Sequence, residues 1–250
     1  RPSIRSSKPR RLRMNSDPRC WAVVPAAGSG TRMQAEQPKQ FLRLGDRTVL
    51  EHSLEALWKL PALAGAVLVN DDKETLQILA ERFAPAALIA APGGAQRCHS
   101  VLNGLEVLAQ QQAPDTWVLV HDAARPCVRA GDLEKLFASV TAETDGTGGL
   151  LAVPVCDTIK RADACGRASA TVDRNALWHA QTPQMFRLGP LRAALQTALA
   201  DGYEVTDEAS AMEHSGYRPL LVEGHADNIK ITRPEDLALA EWYLKQQGRL

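Results

Sequence analysis

The sequence lacks several features that would place the protein in a specialised class. No apolar run approaches the roughly 18 residues that a membrane-spanning helix needs. The five cysteines are odd in number, widely spaced and form no CxxC pair, which argues against a disulfide framework and a structural zinc site. The formal net charge is zero, and no basic surface is indicated over the body of the chain. We therefore expect a cytoplasmic protein that binds neither membranes nor nucleic acid.

Positive charge is concentrated at the start of the chain. Residues 1–19 carry seven Lys and Arg side chains against one acid, Asp17, so the stretch is +6 and the rest of the chain is −6. The stretch fits a disordered tail, a targeting peptide, or residues upstream of a true start at Met14. We favour a disordered basic tail over 1–19, followed by one domain over 20–250.

Short apolar or β-branched runs alternate with stretches of helical periodicity from Cys20 onward. This pattern predicts strands over 20–25, 66–69, 87–91, 117–120 and 219–222, and helices over 49–60, 73–83, 101–112, 188–200 and 234–247. Strands separated by helices of this length indicate right-handed crossovers and a mostly parallel sheet. We expect a doubly wound, Rossmann-like α/β fold.

The pattern changes near Thr144, where several glycines interrupt the chain before an apolar strand resumes. The following segment, CDTIKRADACGRASAT, is polar, alternates loosely and has turn residues in its middle. It is typical of an extended hairpin, which cannot bury itself alone. We expect a protruding β-arm over 155–173, either as a simple surface excursion or, as we favour, as a dimerisation arm.

The motif PAAGSGTRM directly follows the first predicted strand. Gly28 and Gly30 allow the backbone to approach a ligand, and free amides in such a turn bind anions. A dinucleotide fingerprint would need a third glycine where Met33 stands, and a Walker A motif is absent. Two cations follow instead, Arg32 and Lys39, the second on a loop after a proline. The motif predicts a phosphate-binding site.

The motif HDAARP continues the strand predicted over 117–120. Ligands of open α/β sheets bind at the carboxyl ends of the strands, so Asp122 is placed to hold Mg²⁺ against triphosphate oxygens. Its alternative role is to cap the segment that follows. Arg125 suits either an acceptor phosphate or a surface acid, and we expect His121 to be packed rather than catalytic.

Further polar motifs lie outside these two loops. In GGAQRCHS, the backbone and Ser100 are candidates for reading the edge of a base. Thr206, in VTDEAS, suits the cap of the next helix. Lys230, between apolar residues of DNIKIT, is expected to meet an anion.

Taken in order, the motifs PAAGSGTRM, PKQ, GGxxR, HDAARP, DTIKR, VDRN, TPQ, TDEAS and DNIKIT resemble those of the 2-C-methyl-D-erythritol 4-phosphate cytidylyltransferases of the non-mevalonate isoprenoid pathway. The resemblance runs from about Trp21 to the C-terminus, with a departure at Ala95, where members often carry a polar or acidic residue. It implies that CTP and methylerythritol phosphate give CDP-methylerythritol and pyrophosphate, with Mg²⁺ as cofactor. It also implies a homodimer in which the arm reaches the partner's site.

The resemblance assigns a role to each candidate residue. The catalytic set would be Arg32 and Lys39, on the triphosphate and the α-phosphorus, with Arg174 and Lys230 on the acceptor. The CTP-binding set would be Ala26, Ala27, Gly28, Ser29, Gly30, Gly94, Arg97, Ser100, Asp122 and Ala123, with Asp122 also the metal ligand. The acceptor-binding set would be Arg125, Thr158, Arg174, Thr206 and Lys230.

Three alternatives remain open at this point. The same chemistry could use another acceptor, such as ribitol phosphate. An NAD-dependent dehydrogenase is disfavoured by Met33 in place of the third glycine. A non-catalytic nucleotide-binding module is disfavoured because Arg32, Lys39, Asp122 and Lys230 occur together.

Overall fold

The computed structural model describes residues 19–28, 38–84 and 87–250. The strands within these ranges are β1 (Cys20–Pro25), β2 (Arg43–Leu44), β3 (Arg47–Thr48), β4 (Leu63–Val69), β5 (Ala87–Ala91), β6 (Trp117–Val120), β7 (Gly149–Pro154), β8 (Ile159–Ala162), β9 (Ala168–Val172), β10 (Trp178–Arg187) and β11 (Leu220–Glu223). The helices are α1 (Val49–Leu57), α2 (Lys73–Arg82), α3 (Arg97–Ala109), α4 (Ala130–Ala142), α5 (Leu188–Ala200), α6 (Glu208–His214) and α7 (Pro234–Gln246).

The main sheet has seven strands in the order β11-β7-β10-β6-β1-β4-β5. All neighbouring strands pair in parallel except at β10, which is antiparallel to both β6 and β7. The chain leaves β1 toward β4 and later returns to β6 on the other side of β1. Such a reversal opens a crevice beyond the carboxyl ends of the two strands, where ligands bind in sheets of this kind. The doubly wound, mostly parallel α/β fold predicted from the sequence is confirmed.

Alternate residues of the central strands pack into different cores. In β1, Val24 joins the cluster that contains Leu54 of α1, whereas Val23 joins the cluster that contains Leu105 of α3. This period of two is what a strand buried on both faces requires. The α3 helix lies close to the sheet at Gly104, where an added Cβ would come within 2.7 Å of a Val23 methyl group. Helices therefore cover both faces of the sheet.

A third, smaller core joins the β2–β3 pair to the loop that follows β6. It joins Leu44, Ala124, Ile231 and Leu244, and thus brings together the β2–β3 pair, the HDAARP loop, the DNIKIT segment and α7. The backbone N–H of Ile231 donates to the Ala124 carbonyl oxygen at 2.9 Å. Two of the predicted functional motifs are thereby held side by side.

The sequence patterns located most elements, but they missed α4, β10 and the short β2–β3 pair. Three strands, over 20–25, 87–91 and 117–120, have the predicted bounds, and α3 begins four residues earlier than the predicted helix. The absence of β10 from the prediction has a physical reason, because a proline inside a run argues against a central strand. Pro183 is accommodated where the β10–β7 register shifts between Ala180 and Gln184.

The segment for which we predicted a β-arm contains the β8–β9 hairpin. Its strands pair antiparallel from Ile159 opposite Val172 to Ala162 opposite Ala168, as a separate two-stranded sheet. Nearly all of its side chains are exposed. The predicted basic tail lies outside the described residues except for Arg19.

Two further expectations concern the cysteines and the membrane. All five cysteines fall within the described residues and are free thiols, as predicted, three of them buried and two exposed on or beside the arm. Among the helices of the described ranges, none combines the length and the apolar character needed to cross a membrane.

Candidate active site

Two adjoining cavities lie at the carboxyl ends of the central strands. The larger has a volume of about 770 Å³ and the smaller about 270 Å³. The larger is lined by Pro25, Ala26, Ala27, Gly28, Lys39, Gln40, Gly94, Ala95, Gln96, Arg97, Ser100, Asp122, Ala123, Ala124, Lys230 and Thr232. The smaller is lined by Arg97, Asp122, Arg125, Ala180, Gln181, Thr182, Gln184, Thr206, Asp207 and Lys230. Arg97, Asp122 and Lys230 line both cavities, so this trio marks where two bound molecules would meet.

The described part of the turn after β1, residues 26–28, lines the larger cavity. Its carbonyl oxygens are held from behind: Gln40 Nε2 donates to Ala26 O at 2.7 Å and to Gly28 O at 3.0 Å, and Asn70 Nδ2 donates to Ala26 O at 3.0 Å. The N–H groups of Ala27 and Gly28 donate to no acceptor in the described part of the chain. Oriented amides of this kind favour an anion.

The Gly94 turn forms another wall of the larger cavity. The Gly94 N–H donates to Ser100 Oγ at 3.0 Å, so Ser100 shapes the turn from within the first turn of α3. An added Cβ at Gly94 would lie 2.5 Å from the His99 Cβ, so a larger residue would displace the turn. We expected both Gly94 and Ser100 to face a base; the Gly94 N–H is instead committed to Ser100.

The loop after β6 is fixed by a chain of hydrogen bonds with a defined direction. Asp122 N–H donates to Thr182 Oγ1 at 3.1 Å, and Thr182 Oγ1 lies 3.0 Å from His121 Nδ1. His121 Nε2 lies 3.0 Å from the Arg125 carbonyl oxygen, which can only accept. Nε2 therefore carries the proton, and Nδ1 accepts from the Thr182 hydroxyl.

His121 is a structural residue, as the sequence predicted. It is completely buried, and burial lowers its pKa to about 4, so the imidazole is neutral near pH 7. The neutral ring can accept from Thr182 and donate to Arg125 at the same time. The loop between His121 and Arg125 is thereby held with the Asp122 carboxylate turned into the cavities.

The Asp122 carboxylate is surrounded by three cations. Its Oδ1 accepts from Arg97 Nε at 2.7 Å, and its Oδ2 lies 2.8 Å from Lys230 Nζ and 3.6 Å from Arg125 Nε. Burial opposes ionisation, but Arg97, Lys230 and Arg125 together outweigh it and hold the pKa of Asp122 well below its usual range. The anion expected opposite Lys230 is therefore Asp122 in this structure.

Lys39 lines the larger cavity and contacts the DNIKIT segment. Its Nζ donates to the Ile231 carbonyl oxygen at 2.8 Å. The residue begins a short 3-10 helix over Lys39–Phe41, so our expectation of an irregular loop there was wrong. Pro38 does not prevent this turn, because it precedes the helix and needs no N–H there.

The structure brings most of the predicted residues together, with exceptions at the arm and the turn. Thr158 and Arg174 are exposed and line neither cavity; Arg174 donates to the Cys156 carbonyl oxygen at the base of the arm. Thr206 lines the smaller cavity, but Asp207 rather than Thr206 caps α6, because its carboxylate accepts from Ser210 N. Ser29, Gly30 and Arg32 lie outside the described residues.

Sequence reasoning missed the residues that hold the site from behind. Gln40 and Thr182 stand inside the motifs PKQ and TPQ, and Glu208 stands inside TDEAS, but none of the three was assigned a role in the site. Glu208 is in fact fully buried against Arg97. A side chain that supports the site through a neighbouring residue leaves no recognisable pattern in the sequence around it. The only available signal was that these residues lie inside motifs already singled out.

The fold and the paired cavities define a nucleotidyltransferase of the Rossmann-like α/β class. Residues 20–246 match the profile of the 2-C-methyl-D-erythritol 4-phosphate cytidylyltransferase family. The protein of that name from Pseudomonas putida strain GB-1 is 53% identical over 230 residues, which cover 92% of this chain and 96% of the relative. The chain belongs to this family.

Two further comparisons agree. The protein of the same name from Cronobacter sakazakii is 52% identical, over 89% of this chain and 92% of its own length. The crystal structure of the Francisella tularensis protein of that name superposes with a TM-score of 0.78 at 33% identity, over 90% of this chain and all of the other.

Proposed function

We propose that the protein transfers a cytidylyl group from CTP to 2-C-methyl-D-erythritol 4-phosphate, giving CDP-methylerythritol and pyrophosphate for isoprenoid precursor synthesis. The family and its relatives support this reaction over most of the chain. The structural observation that carries it is the shared wall of the two cavities, formed by Arg97, Asp122 and Lys230. In the proposed reaction, a triphosphate occupies the larger cavity and an acceptor phosphate the smaller one, and both reach that wall.

The reaction requires positioning and charge neutralisation more than proton transfer. The acceptor phosphate is already anionic at neutral pH, so it can attack the α-phosphorus without a general base. Bringing two anions into line is the main barrier, and fixed cations and amides lower it. The turn amides at Ala27 and Gly28 suit the triphosphate, with Lys39 and the sequence-predicted Arg32 supplying charge for the transition state.

The acceptor is assigned to the smaller cavity. Arg125 and Lys230 face that cavity together with Thr206, and their cationic groups suit a phosphate. Both cations also lie within 3.6 Å of Asp122, which holds them in place before the acceptor arrives. Selection of cytosine would then fall to the backbone of Ala26, Ala27 and Gly94 in the larger cavity. At Ala27 and Gly94 it would use carbonyl oxygens, because the Gly94 N–H is committed to Ser100 and the Ala27 N–H is assigned to the triphosphate.

Asp122 is the residue that would hold Mg²⁺. Its carboxylate faces both cavities, and Mg²⁺ usually takes one or two carboxylates together with phosphate oxygens and water. Within the described ranges, no group of three or more His, Cys, Asp or Glu side chains is placed to hold a metal. The donor set therefore fits an ion that arrives with the triphosphate, where it would neutralise phosphate charge.

We further propose a cytoplasmic homodimer in which the arm completes the partner's acceptor site. Thr158 and Arg174 are exposed and line neither cavity of their own chain. The arm's base exposes two large apolar side chains, Leu177 at 36% and Trp178 at 37%. A partner that covers these side chains would also receive Thr158 and Arg174.

Pyrophosphate release tests the proposal. Wild-type protein is incubated with CTP, Mg²⁺ and methylerythritol phosphate, and parallel reactions replace CTP by ATP or the acceptor by ribitol phosphate. Release only with CTP and methylerythritol phosphate is expected. If CTP released pyrophosphate with ribitol phosphate but not with methylerythritol phosphate, the mechanism would stand and the pathway would be different. No release with any pair of substrates would indicate a binding protein.

A further inference from the structure

Glu208 has a buried carboxylate, and the proposed reaction as described above assigns no role to it. Its side chain is 0% exposed, the lowest value for an acidic residue in the ranges 19–28, 38–84 and 87–250. Arg97 Nη1 donates to its Oε1 at 2.7 Å, and Arg97 Nη2 donates to its Oε2 at 3.1 Å. Burying a carboxylate is costly unless it is paired in this two-pronged way. Glu208 and Arg97 therefore form one unit.

The remaining nitrogen of the same guanidinium reaches Asp122, the carboxylate proposed to hold Mg²⁺. Arg97 Nε donates to Asp122 Oδ1 at 2.7 Å, so all three guanidinium nitrogens are bound by two carboxylates. The guanidinium is planar and its donors have fixed directions. Once Glu208 holds one edge of the group, the position of the Nε donor, and with it that of Asp122 Oδ1, is set.

Glu208 contacts the lining of both cavities through Arg97. Arg97 and Asp122 line both cavities, whereas Glu208 lines neither. Glu208 is also the first residue of α6, directly after Asp207 and close in sequence to Thr206, which line the smaller cavity. The Glu208–Arg97 pair therefore connects the acceptor side of the site to α3, which borders the nucleotide side.

The charges around Asp122 depend on this pair. Asp122 faces Arg97, Lys230 and Arg125, and the charge of Arg97 is shared with Glu208. If Glu208 were neutral, the full charge of Arg97 would act on Asp122, and the site would gain one positive charge. Asp122 would then be drawn toward Arg97 and away from Lys230.

We propose that Glu208 is a positioning residue for the cytidylyl transfer: it fixes Arg97 and thereby the orientation of Asp122 at the junction of the two cavities. This inference rests on the proposed function, because it concerns the rate of that reaction.

The test is the kinetics of Glu208→Gln, which removes the charge and keeps the shape. We expect kcat to fall about 10- to 100-fold, while KM for CTP and for the acceptor stays within about threefold of wild type because the site has become more positive. Calorimetric titration with CTP gives the concentration of binding-competent sites, and kcat is calculated per competent site. Loss of folded protein alone would leave this corrected kcat unchanged.

Glu51→Gln provides the matched control. Glu51 is also buried, at 8% exposure, and pairs with an arginine, Arg82, but it lines neither cavity. This variant should be less stable than wild type and keep its kcat.

A second comparison uses Arg97→Gln with and without Glu208→Gln. If Glu208 acts through Arg97, the double variant is no slower than Arg97→Gln alone, and it no longer buries an unpaired carboxylate. The inference would be overturned if the two substitutions lowered kcat independently, so that the double variant were slower than Arg97→Gln by the full Glu208→Gln factor. It would also be overturned if the corrected kcat of Glu208→Gln equalled that of wild type. Either result would leave the proposed function standing. A wild-type protein that released no pyrophosphate would overturn the function first.

Discussion

The hydroxyl of Thr182 lies between His121 and Asp122: it donates to His121 Nδ1 at 3.0 Å and accepts from the Asp122 N–H at 3.1 Å. Thr182 stands on β10, whereas the other two residues follow β6. One hydroxyl thus ties a strand of the sheet to the loop that carries the proposed metal ligand.

Replacing this hydroxyl by a methyl group should weaken both the fold and the site. Thr182→Val leaves a buried N–H and a buried imidazole nitrogen without partners, which we expect to lower the free energy of unfolding by about 2 kcal/mol. Denaturant unfolding measures this, and kcat should also fall because Asp122 loses its support. Thr182→Ser keeps the hydroxyl and should stay near wild type. Equal stability of the Val and Ser variants would contradict the hydrogen-bond chain.

The buried His121 predicts a specific pH dependence. Burial lowers its pKa from the ordinary 6.5 to about 4 in the folded protein. The unfolded chain therefore binds more protons between about pH 6.5 and pH 4, and the contribution of His121 to stability rises with pH across that window. It is complete above about pH 6.5 and lost as pH falls toward 4.

The prediction is measured as a difference between two proteins. The stability advantage of wild type over His121→Gln should shrink as pH falls from 7 to 4, because glutamine can make similar hydrogen bonds but does not titrate. His179→Gln, which replaces an exposed histidine, is the control for the chemical substitution itself. A constant difference between wild type and His121→Gln would show that folding does not change the protonation of His121 in this window, and would contradict the prediction.

The sequence predicted the fold and the cavity-lining motifs better than the residues that hold those motifs in place through long-range contacts. The strands at 20–25 and 117–120 and the motifs that follow them were located because apolar runs and glycine-rich turns are local patterns. Thr182 and Glu208 lie about 60 and 111 residues from their partners Asp122 and Arg97, and no local pattern encodes such contacts. The same holds for β10, whose place between β6 and β7 is decided by packing despite its proline.

Lys39→Ala should abolish most activity without unfolding the protein. The side chain lines the larger cavity, and its Nζ donates to the Ile231 carbonyl oxygen at 2.8 Å. Losing one charged contact to the transition state costs about 3 kcal/mol, or roughly 100-fold in kcat. Thermal unfolding should change little. Turnover near that of wild type would remove Lys39 from the mechanism.

Mixing two impaired variants, at an acceptor concentration well below the raised KM of Arg174→Ala, tests whether the acceptor site is shared between subunits. Arg174→Ala should raise KM for the acceptor, because Arg174 is proposed to reach the partner's smaller cavity. In a mixed dimer with Lys39→Ala, one site would carry both substitutions and the other neither. Random exchange of subunits in an equal mixture would then restore about a quarter of the wild-type sites.

The control for this experiment is a mixture of Lys39→Ala with Lys230→Ala. Both residues line the larger cavity of their own chain, so each site of the mixed dimer would keep one defect. No activity beyond that of the separate variants is expected in this mixture. If the mixture of Lys39→Ala and Arg174→Ala also showed no added activity although subunits had exchanged, Arg174 would act in the site of its own subunit. The arm would then have to fold back toward the smaller cavity of its own chain, which Arg174 does not line in this structure.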